Sequence, residues 1–190
     1  LIPKQSGVGL RPINLFRTLV RLHSKIRGSD VRKWENANLS ASHNNRSGRH
    51  VGDACWRMQV RALAQSVKDG KATGLVAEVQ TDLEKAFDAV MRSILLDRAD
   101  QEKYPLAKLG LALQSYSWPR RLAIGTAVSR KVWPTCGIAA GSATAVAELA
   151  MMLNQAINRL NAAPPTSITY VHVDDISTTL QADSLEEMAE

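Results

Sequence analysis

Three aspartates occupy places where carboxylates could act together on metal ions. Asp82 closes the alternating stretch Leu75 to Asp82, and Asp174 and Asp175 close a second alternating stretch that begins at Ser167. Transfer of nucleotidyl groups needs cations that offset negative charge on the attacking and leaving oxygens, and two metals roughly 3.5 to 4 Å apart do this when several carboxylates converge. If the two stretches are strands whose ends meet, these aspartates could form one two-metal site.

An adjacent pair of aspartates also has a simpler structural explanation. Asp174 and Asp175 lie between Val173 and Ile176, and burial of two carboxylates costs free energy unless cations or hydrogen-bond donors satisfy them. An exposed hairpin turn is therefore the simplest location for the pair. Most such pairs are only turns, so a catalytic role depends on support from other motifs.

Hydrophobic periodicity predicts the elements that would position these residues. Apolar residues recur at helical spacing in five stretches, about 14–27, 53–67, 89–99, 104–117 and 143–160. They alternate with period two in two stretches, 75–82 and 167–173. Two short apolar runs could form a hairpin, 121–127 and 130–133, and loops are expected at 36–50 and 137–141. The sequence predicts an α/β chain of the α+β type, in which helices back the strands that end in aspartates.

Charge is unevenly spread along the chain, whose formal net charge is +6. Residues 1–50 contain ten Lys/Arg and two Asp/Glu, so their net charge is 10 − 2 = +8. From Pro134 onward one arginine is set against seven acidic residues, which gives 1 − 7 = −6. A polyanion would prefer the N-terminal half. Solvated surface is the simpler explanation of charge alone, so a nucleic-acid partner depends on the motifs.

Length, composition and cysteine usage exclude several classes of protein. A chain of 190 residues that is 45% hydrophobic is long enough for one domain with a core and too short for two large ones. No apolar run approaches the roughly 18 residues that span a bilayer, and residues 1–13 lack the pattern of a signal peptide. Cys55 and Cys136 belong to neither a CxxC motif nor a Cys/His cluster. The sequence therefore predicts an intracellular protein, nuclear or cytoplasmic, that is neither secreted nor embedded in a membrane.

Five short blocks follow one another along the chain and are spread over nearly its whole length, from residue 2 to residue 176. In order they are IPKQSGVGLRPINL (2–15), SGRHVGDA (47–54), DLEKAFDAV (82–90), GIAAGS (137–142) and YVHVDDI (170–176). These blocks resemble a fingers segment, the segment before motif A, and motifs A, B and C of reverse transcriptases. The resemblance is greatest to the enzymes of non-LTR (LINE-type) retrotransposons, and DLEKAFDAV is the most specific block.

The resemblance implies that the aspartates are the metal-binding residues of a polymerase. By position in the motifs, Asp82 would bind both metals, Asp174 would be the principal ligand of motif C, and Asp175 would be its partner. The cofactor would be two Mg²⁺ ions, with Mn²⁺ as an alternative. The implied reaction is RNA-directed DNA synthesis, in which dNTPs are added to a primer 3′-hydroxyl on an RNA template.

The resemblance also assigns residues to the incoming nucleotide. Lys4 and Arg11 of the fingers segment would bind the triphosphate, and Gly141 would lie in the loop that opens the helix under template and nucleotide. Phe87, five residues after Asp82, falls at the steric gate. A bulky aromatic ring there would collide with a ribose 2′-hydroxyl, so the implied preference is for deoxynucleotides.

The implied partners are an RNA template and a DNA primer, with no membrane partner. Both strands would bind mainly through their phosphates, so affinity should fall steeply with salt. Arg46 and Arg49, in the basic N-terminal segment, are expected to contact nucleic acid. The sequence gives no indication of protein partners.

The fold implied by the resemblance is a right-hand polymerase palm, with an antiparallel sheet backed by helices and part of the fingers. Residues 1–190 would be a single partial reverse transcriptase domain. About 1–70 would form the basic fingers segment, and about 71–190 would form the palm with motifs A, B and C. The chain ends soon after motif C, so the thumb is expected to be missing.

Several positions depart from the family pattern and leave alternatives open. His172 stands where Tyr or Phe is usual, Ala140 replaces the motif B glutamine, and customary prolines are replaced by Ala143 and Val146. The Ala140 replacement and the missing thumb favour a catalytically inactive, truncated remnant that at most binds nucleic acid. A third alternative is an RNA-dependent RNA polymerase, which shares the palm and the paired aspartates. Phe87 argues against that alternative.

Overall fold

Short helices and strands alternate along the chain in the computed structural model, which describes residues 2–3, 10–11, 13–46, 48–68, 71–72, 75–162, 167–182, 184 and 186. The helices are α1 (Thr18–Ile26), α2 (Gly28–Asn38), α3 (Val51–Ser66), α4 (Arg92–Gln101), α5 (Leu106–Tyr116) and α6 (Ala145–Ala162). The strands are β1 (Ile2–Pro3), β2 (Leu10–Arg11), β3 (Val67–Lys68), β4 (Lys71–Ala72), β5 (Leu75–Asp82), β6 (Ala123–Ile124), β7 (Ala127–Val128), β8 (Ser167–His172) and β9 (Asp175–Ala182). Within this described part of the chain, none of the helices combines the length and apolar character needed to cross a membrane. The expected α+β class with antiparallel strands is confirmed.

Three strands form the sheet that carries the aspartates. Their order is β5-β9-β8, so β9 is central and pairs antiparallel with both neighbours. The bounds predicted for β5 are confirmed, and β8 ends one residue before the predicted 173. Val173 and Asp174 form the turn between β8 and β9. The aspartate pair therefore lies at a hairpin turn, as the sequence predicted.

The first predicted helix, 14–27, is wrong in its bounds, because the chain instead forms α1 and α2 with Arg27 between them. The Arg27 amide donates to the His23 carbonyl at 3.0 Å and closes α1. The Arg27 guanidinium lies 3.1 Å from the carboxylate of Asp30, in the first turn of α2, where the helix dipole favours negative charge. Gly28, the residue after the predicted helix, begins α2.

Packing also extends α2 into the predicted loop 36–50. Val31 and Trp34 are buried on this helix. The Trp34 ring packs edge-on against Tyr104 with a centroid distance of 5.0 Å, and its indole N–H donates to the Glu102 carbonyl at 2.8 Å. These contacts with distant residues stabilise α2, which continues as far as Asn38. The loop begins after that residue.

Contacts between Cα atoms divide the chain into two compact units, residues 1–34 with 85–152 and residues 35–84 with 153–190. In the first unit the fully buried side chains belong to α4, α5, α6 and the loops that precede α5 and α6. The largest of them are Leu95, Tyr104, Leu109, Tyr116, Ile138, Glu148 and Met151. The assignment of residues 1–70 to fingers and 71–190 to palm stays a prediction.

The second unit contains the three-stranded sheet, and the segment after α2 is attached to β8. The Asn44 amide donates to the Val171 carbonyl at 2.9 Å, and the Val171 amide donates to the Ser42 carbonyl at 3.0 Å. On α6, the side-chain oxygen of Asn161 accepts from the Thr169 amide at 2.8 Å, and its Nδ2 donates to the Thr169 carbonyl at 3.1 Å. The outer edge of β8 is therefore covered, which protects an edge strand from unwanted pairing.

Candidate metal and nucleotide site

Two of the predicted aspartates face each other across a strand pair. The register of β5 and β9 sets Asp82 directly opposite Asp175, and the register of β8 and β9 sets His172 opposite Asp175 on the other side. Opposite residues on neighbouring strands project from the same face of a sheet. Asp82, Asp175 and His172 therefore form one row across the end of the sheet.

Asp174 adjoins this row from the hairpin turn. Its carbonyl accepts a hydrogen bond from the amide of Leu83, the residue after Asp82, at a long 3.4 Å. The end of β5 is thus tied to the turn through the backbone as well as through the sheet. Asp82, Asp174 and Asp175 therefore lie at one end of the sheet, where β5 ends and β9 begins.

The turn holds a strained residue next to the aspartates. Val173 has φ +62°, in the left-handed region that β-branched residues rarely adopt. A positive φ at the first central residue and not at the second is typical of a type II′ hairpin turn, for which glycine is preferred. Strain of this kind persists only where the surroundings enforce it, and it is frequent at functional sites.

The carboxylates suit hard cations, although their side chains do not converge. Asp82 and Asp175 are exposed and Asp174 is partly buried. Among the residues that the structure describes, no three His, Cys, Asp or Glu side chains are close enough to hold a metal ion. Repulsion between the like-charged carboxylates favours this separation, and exposed side chains can change rotamer at little cost. Carboxylate oxygens are the ligands that Mg²⁺ prefers, so the donor set fits the expected ion.

The third residue of this row is His172. Its side chain is partly buried, and its Nδ1 atom is buried with no hydrogen-bond partner among the described residues. The histidine is paired with Asp175 in the strand register. Its place in the row of polar residues was predictable from the strand, but its buried nitrogen was not.

Phe87, the predicted steric gate, is held by its backbone to the motif B loop. The Ile138 amide donates to the Phe87 carbonyl at 2.8 Å, and the Gly137 amide donates to the Val90 carbonyl at 2.8 Å. Gly137 has φ +87°, and a Cβ there would lie 3.0 Å from the Asp88 carbonyl oxygen. Glycine at position 137 therefore allows this close approach of the two segments. The Phe87 side chain is partly buried.

Gly141, predicted to bind nucleotide, has a structural reason to be glycine. Its φ is +95°, and an added Cβ would lie 2.9 Å from the Asn14 carbonyl oxygen. The Ala140 carbonyl accepts from both the amide and the side-chain Nδ2 of Asn14, at 3.1 and 2.9 Å. The loop is thus fastened to Asn14, within the fingers segment. A role of Gly141 towards nucleotide remains a prediction.

The other predicted contact residues are not brought into this site by any described contact. Lys4 lies outside the described residues, and Arg11 is described only as backbone in β2, paired with Ile2. Arg46 donates to the Leu39 carbonyl at 3.1 Å, and Arg49 donates to the Ala41 carbonyl at 2.7 Å. These two arginines hold the loop after α2, a structural contribution that the sequence did not predict. Their contact with nucleic acid stays a prediction.

Arg92 organises the motif B loop, although sequence reasoning missed it. Its guanidinium donates to four carbonyls, those of Tyr116 at 3.0 Å, Pro134 at 3.1 Å, Cys136 at 2.8 Å and Gly137 at 3.2 Å. One planar cation with five donors can hold several carbonyls at once. No sequence pattern links a helix-starting arginine to a loop more than forty residues away, so no signal could have identified it.

A buried carboxyl holds the start of α6 and was also missed. Glu148 is fully buried and accepts hydrogen bonds from the Tyr116 hydroxyl and from Thr144 Oγ1, both at 2.7 Å. Burial raises the pKa of Glu148, and these two hydrogen bonds and the Lys108 charge oppose that rise. Burial also lowers the pKa of Lys108, whose Nζ is buried without a hydrogen-bond partner among the described residues. In the sequence, Glu148 is one of the seven acidic residues from Pro134 onward, and no pattern marks it as buried.

Comparison with known proteins gives a fold relationship. No protein-family model matches the sequence, and no curated protein matches it either. Among solved structures, the fold is similar to that of apo telomerase from Candida tropicalis truncated from its C-terminal domain, with a TM-score of 0.58 and 11% sequence identity. The similarity covers 90% of this chain and 35% of the telomerase chain. At this identity the likeness shows the fold alone.

Proposed function

We propose that this chain is part of a reverse transcriptase of the non-LTR type, in which Asp82, Asp174 and Asp175 hold the metal ions for nucleotidyl transfer. The observation that carries the proposal is the register of β5 and β9, which sets Asp82 opposite Asp175. The order of the sequence motifs assigns the same aspartates to motifs A and C. The fold likeness to telomerase, itself a reverse transcriptase, supports the proposal at the level of the fold.

The three aspartates would supply the metal ligands that the reaction needs. Bound Mg²⁺ ions, or Mn²⁺ in their place, would neutralise charge on the attacking 3′-hydroxyl oxygen and on the leaving pyrophosphate. Asp82 at the end of β5 and Asp175 opposite it would hold the ions from two strands, and Asp174 in the adjoining turn would complete the set. The strained turn at Val173 would fix the direction in which Asp174 leaves the backbone.

The nucleotide would be selected and held by residues of the fingers and of motifs A and B. Phe87 would exclude a ribose 2′-hydroxyl. Its backbone carbonyl accepts a hydrogen bond from the Ile138 amide, which fixes the backbone position from which the ring extends. Lys4 and Arg11 would offset the negative charge of the triphosphate. The substrates would be dNTPs, with an RNA template and a DNA primer as the polymeric partners.

A second function is favoured by two specific observations. Ala140 replaces the motif B glutamine, and the carboxylates do not converge into a ready-made metal site within the described part of the chain. An inactive remnant that binds nucleic acid would explain both. It would bind RNA in a salt-sensitive way and incorporate no dNTP. An RNA-dependent RNA polymerase is disfavoured by Phe87.

Primer extension on an RNA template with Mg²⁺ and dNTPs tests the proposal. Because the similarity covers 35% of the telomerase chain, the assay should use the natural gene product that contains these 190 residues. Wild type and an Asp97→Ala control, which alters an exposed acid on α4, should extend the primer, and Asp174→Ala should not. Equal extension by Asp174→Ala and wild type would overturn the proposal. Salt-sensitive RNA binding, with no primer extension by wild type or by either variant, would favour the inactive remnant.

A further inference from the structure

Residues 117–136 combine basic and aromatic side chains and contain no aspartate or glutamate. The basic residues are Arg120, Arg121, Arg130 and Lys131, and the aromatic residues are Trp118 and Trp133. β6 and β7 form a hairpin within this segment, and Arg120 and Val132 extend the pairing through two backbone hydrogen bonds of 2.8 Å each. We call residues 117–136 the basic arm.

A groove of about 580 Å³ lies between the basic arm and residues 13–17. Its volume falls within the range of roughly 300 to 1,000 Å³ that is usual for ligand sites. No acidic residue lines it. The charged and aromatic residues that line it are Phe16, Arg17, Trp118, Arg120 and Arg121.

No acidic side chain on the walls of this groove balances its positive charge. Arg17 and Arg121 are exposed, whereas Arg120 is partly buried and donates to the Tyr116 carbonyl at 2.9 Å. Burial, and then the charge of Arg92, lower the pKa of Arg120, and Asp88 opposes that effect. A bound anion would offset the repulsion between these guanidinium groups.

We infer that this groove binds a segment of single-stranded nucleic acid, with a base stacked on Trp118 and its phosphates bound by Arg17 and Arg121. A lining of arginines and aromatic rings without acids combines the two features of single-strand sites, electrostatic attraction to the backbone and stacking platforms for bases. A duplex keeps its bases stacked inside, so it would offer only phosphates. The inference rests on the proposed function for the class of its ligand, but it requires no polymerase activity.

Fluorescence anisotropy with a labelled single strand of about 12 nucleotides, RNA or DNA, tests the inference on the 190-residue chain. Trp118→Leu should weaken binding at least about fivefold, and Trp118→Phe, which keeps an aromatic face, should bind nearly as wild type does. The double variant Arg17→Ala, Arg121→Ala should lower the slope of log K against log salt by about 1.4, because each lost contact to a single strand removes about 0.7.

Matched controls separate the groove from general charge and exposure. Trp133→Leu alters an exposed tryptophan of the basic arm that does not line the groove, and Arg159→Ala removes an exposed arginine on α6. Neither variant should change the affinity or the slope of log K against log salt, because neither residue lines the groove. Thermal unfolding followed by circular dichroism checks each variant. If Trp118→Leu does not fold, the salt dependence of the double variant Arg17→Ala, Arg121→Ala decides the result.

Three outcomes would overturn the inference. One is binding that Trp118→Leu and the double arginine variant leave unchanged. Another is equal affinity for a blunt duplex of the same sequence, which would mean that phosphates alone are recognised. The third is full displacement of the strand by free dNTP at the same nucleotide concentration, which would mean a mononucleotide site. Binding is measured without Mg²⁺, so failure of the proposed polymerase reaction would not alter the result.

Discussion

Asp82, the last residue of β5, is directly opposite Asp175, the first residue of β9. Like charges directly opposite each other on neighbouring strands destabilise a sheet. Folding alone therefore does not explain why two carboxylates occupy this pair of positions. The proposed metal site would explain it, because bound cations would attract both carboxylates and offset their mutual repulsion.

Relief of the strained turn is expected to leave the protein at least as stable as wild type. Val173 adopts φ +62°, a backbone conformation that costs an L-residue roughly 1 to 2 kcal/mol, and Val173→Gly removes this cost. Added freedom of the unfolded chain offsets part of this gain. Val171→Gly, at a buried strand position, should instead lose about 3 kcal/mol. Urea unfolding measures both, and an equal loss in the two variants would contradict the strained turn.

The glycine of the motif B loop should not tolerate a methyl group. Gly141→Ala places a Cβ 2.9 Å from the Asn14 carbonyl oxygen at a φ of +95°, and we expect a loss of about 2 kcal/mol of unfolding free energy. The control is Gly110→Ala in α5, where nothing lies within 4 Å of the added Cβ. That change should stabilise by about 0.5 to 1 kcal/mol. Thermal unfolding that orders the two variants the other way would refute this account of Gly141.

Arg92 should matter far more than the other arginine of its helix. Arg92→Ala removes the donor shared by three loop carbonyls and the carbonyl at the end of α5, and we expect a loss of about 3 kcal/mol. Hydrogen exchange should also speed up at the amides of Gly137 and Ile138. Arg98→Ala, which removes a guanidinium bonded to the Gln101 side chain, should change stability by about 0.5 kcal/mol or less. Similar losses in the two variants would argue against an organising role for Arg92.

The buried Glu148 should make stability depend on pH. Burial raises its pKa above the ordinary 4.5, so the folded state binds the proton more tightly than the unfolded state. The stabilisation by this carboxyl is fully present below about pH 4.5 and is lost as pH rises through the folded-state pKa. Glu148→Gln cannot titrate, so its stability relative to wild type should increase from about pH 4.5 upward. Urea unfolding at several pH values measures the difference, and a difference independent of pH would contradict it.

The sequence predicted what local patterns determine. Alternation with period two located β5 and β8, because each strand has its own polar and apolar faces, and the aspartates at their ends followed directly. The extension of α2 was missed because it depends on Trp34 packing against Tyr104, a residue seventy positions away. The register that sets Asp82 opposite Asp175 likewise depends on pairing between distant strands, which composition does not encode.

The contacts of Arg92 and Glu148 were beyond prediction for the same reason. Each side chain has partners on a different element, and a lone arginine or glutamate carries no periodic signal. A buried Glu148 even contradicts the expectation that acids are solvated, and its two hydrogen bonds and the Lys108 charge offset the cost of burial. Such groups are found once the fold brings their partners together.

Binding of Mn²⁺ to the 190-residue chain, followed by electron paramagnetic resonance, tests the central claim most directly. Mn²⁺ takes the same oxygen ligands as Mg²⁺ and reports its own free concentration. If Asp82 and Asp175 share one site, Asp82→Asn and Asp175→Asn should each weaken binding at least about tenfold, a loss of about 1.4 kcal/mol. Asp97→Asn, an exposed acid on α4, should bind as wild type does. Equal affinity of the Asp82→Asn and Asp97→Asn proteins would contradict the account.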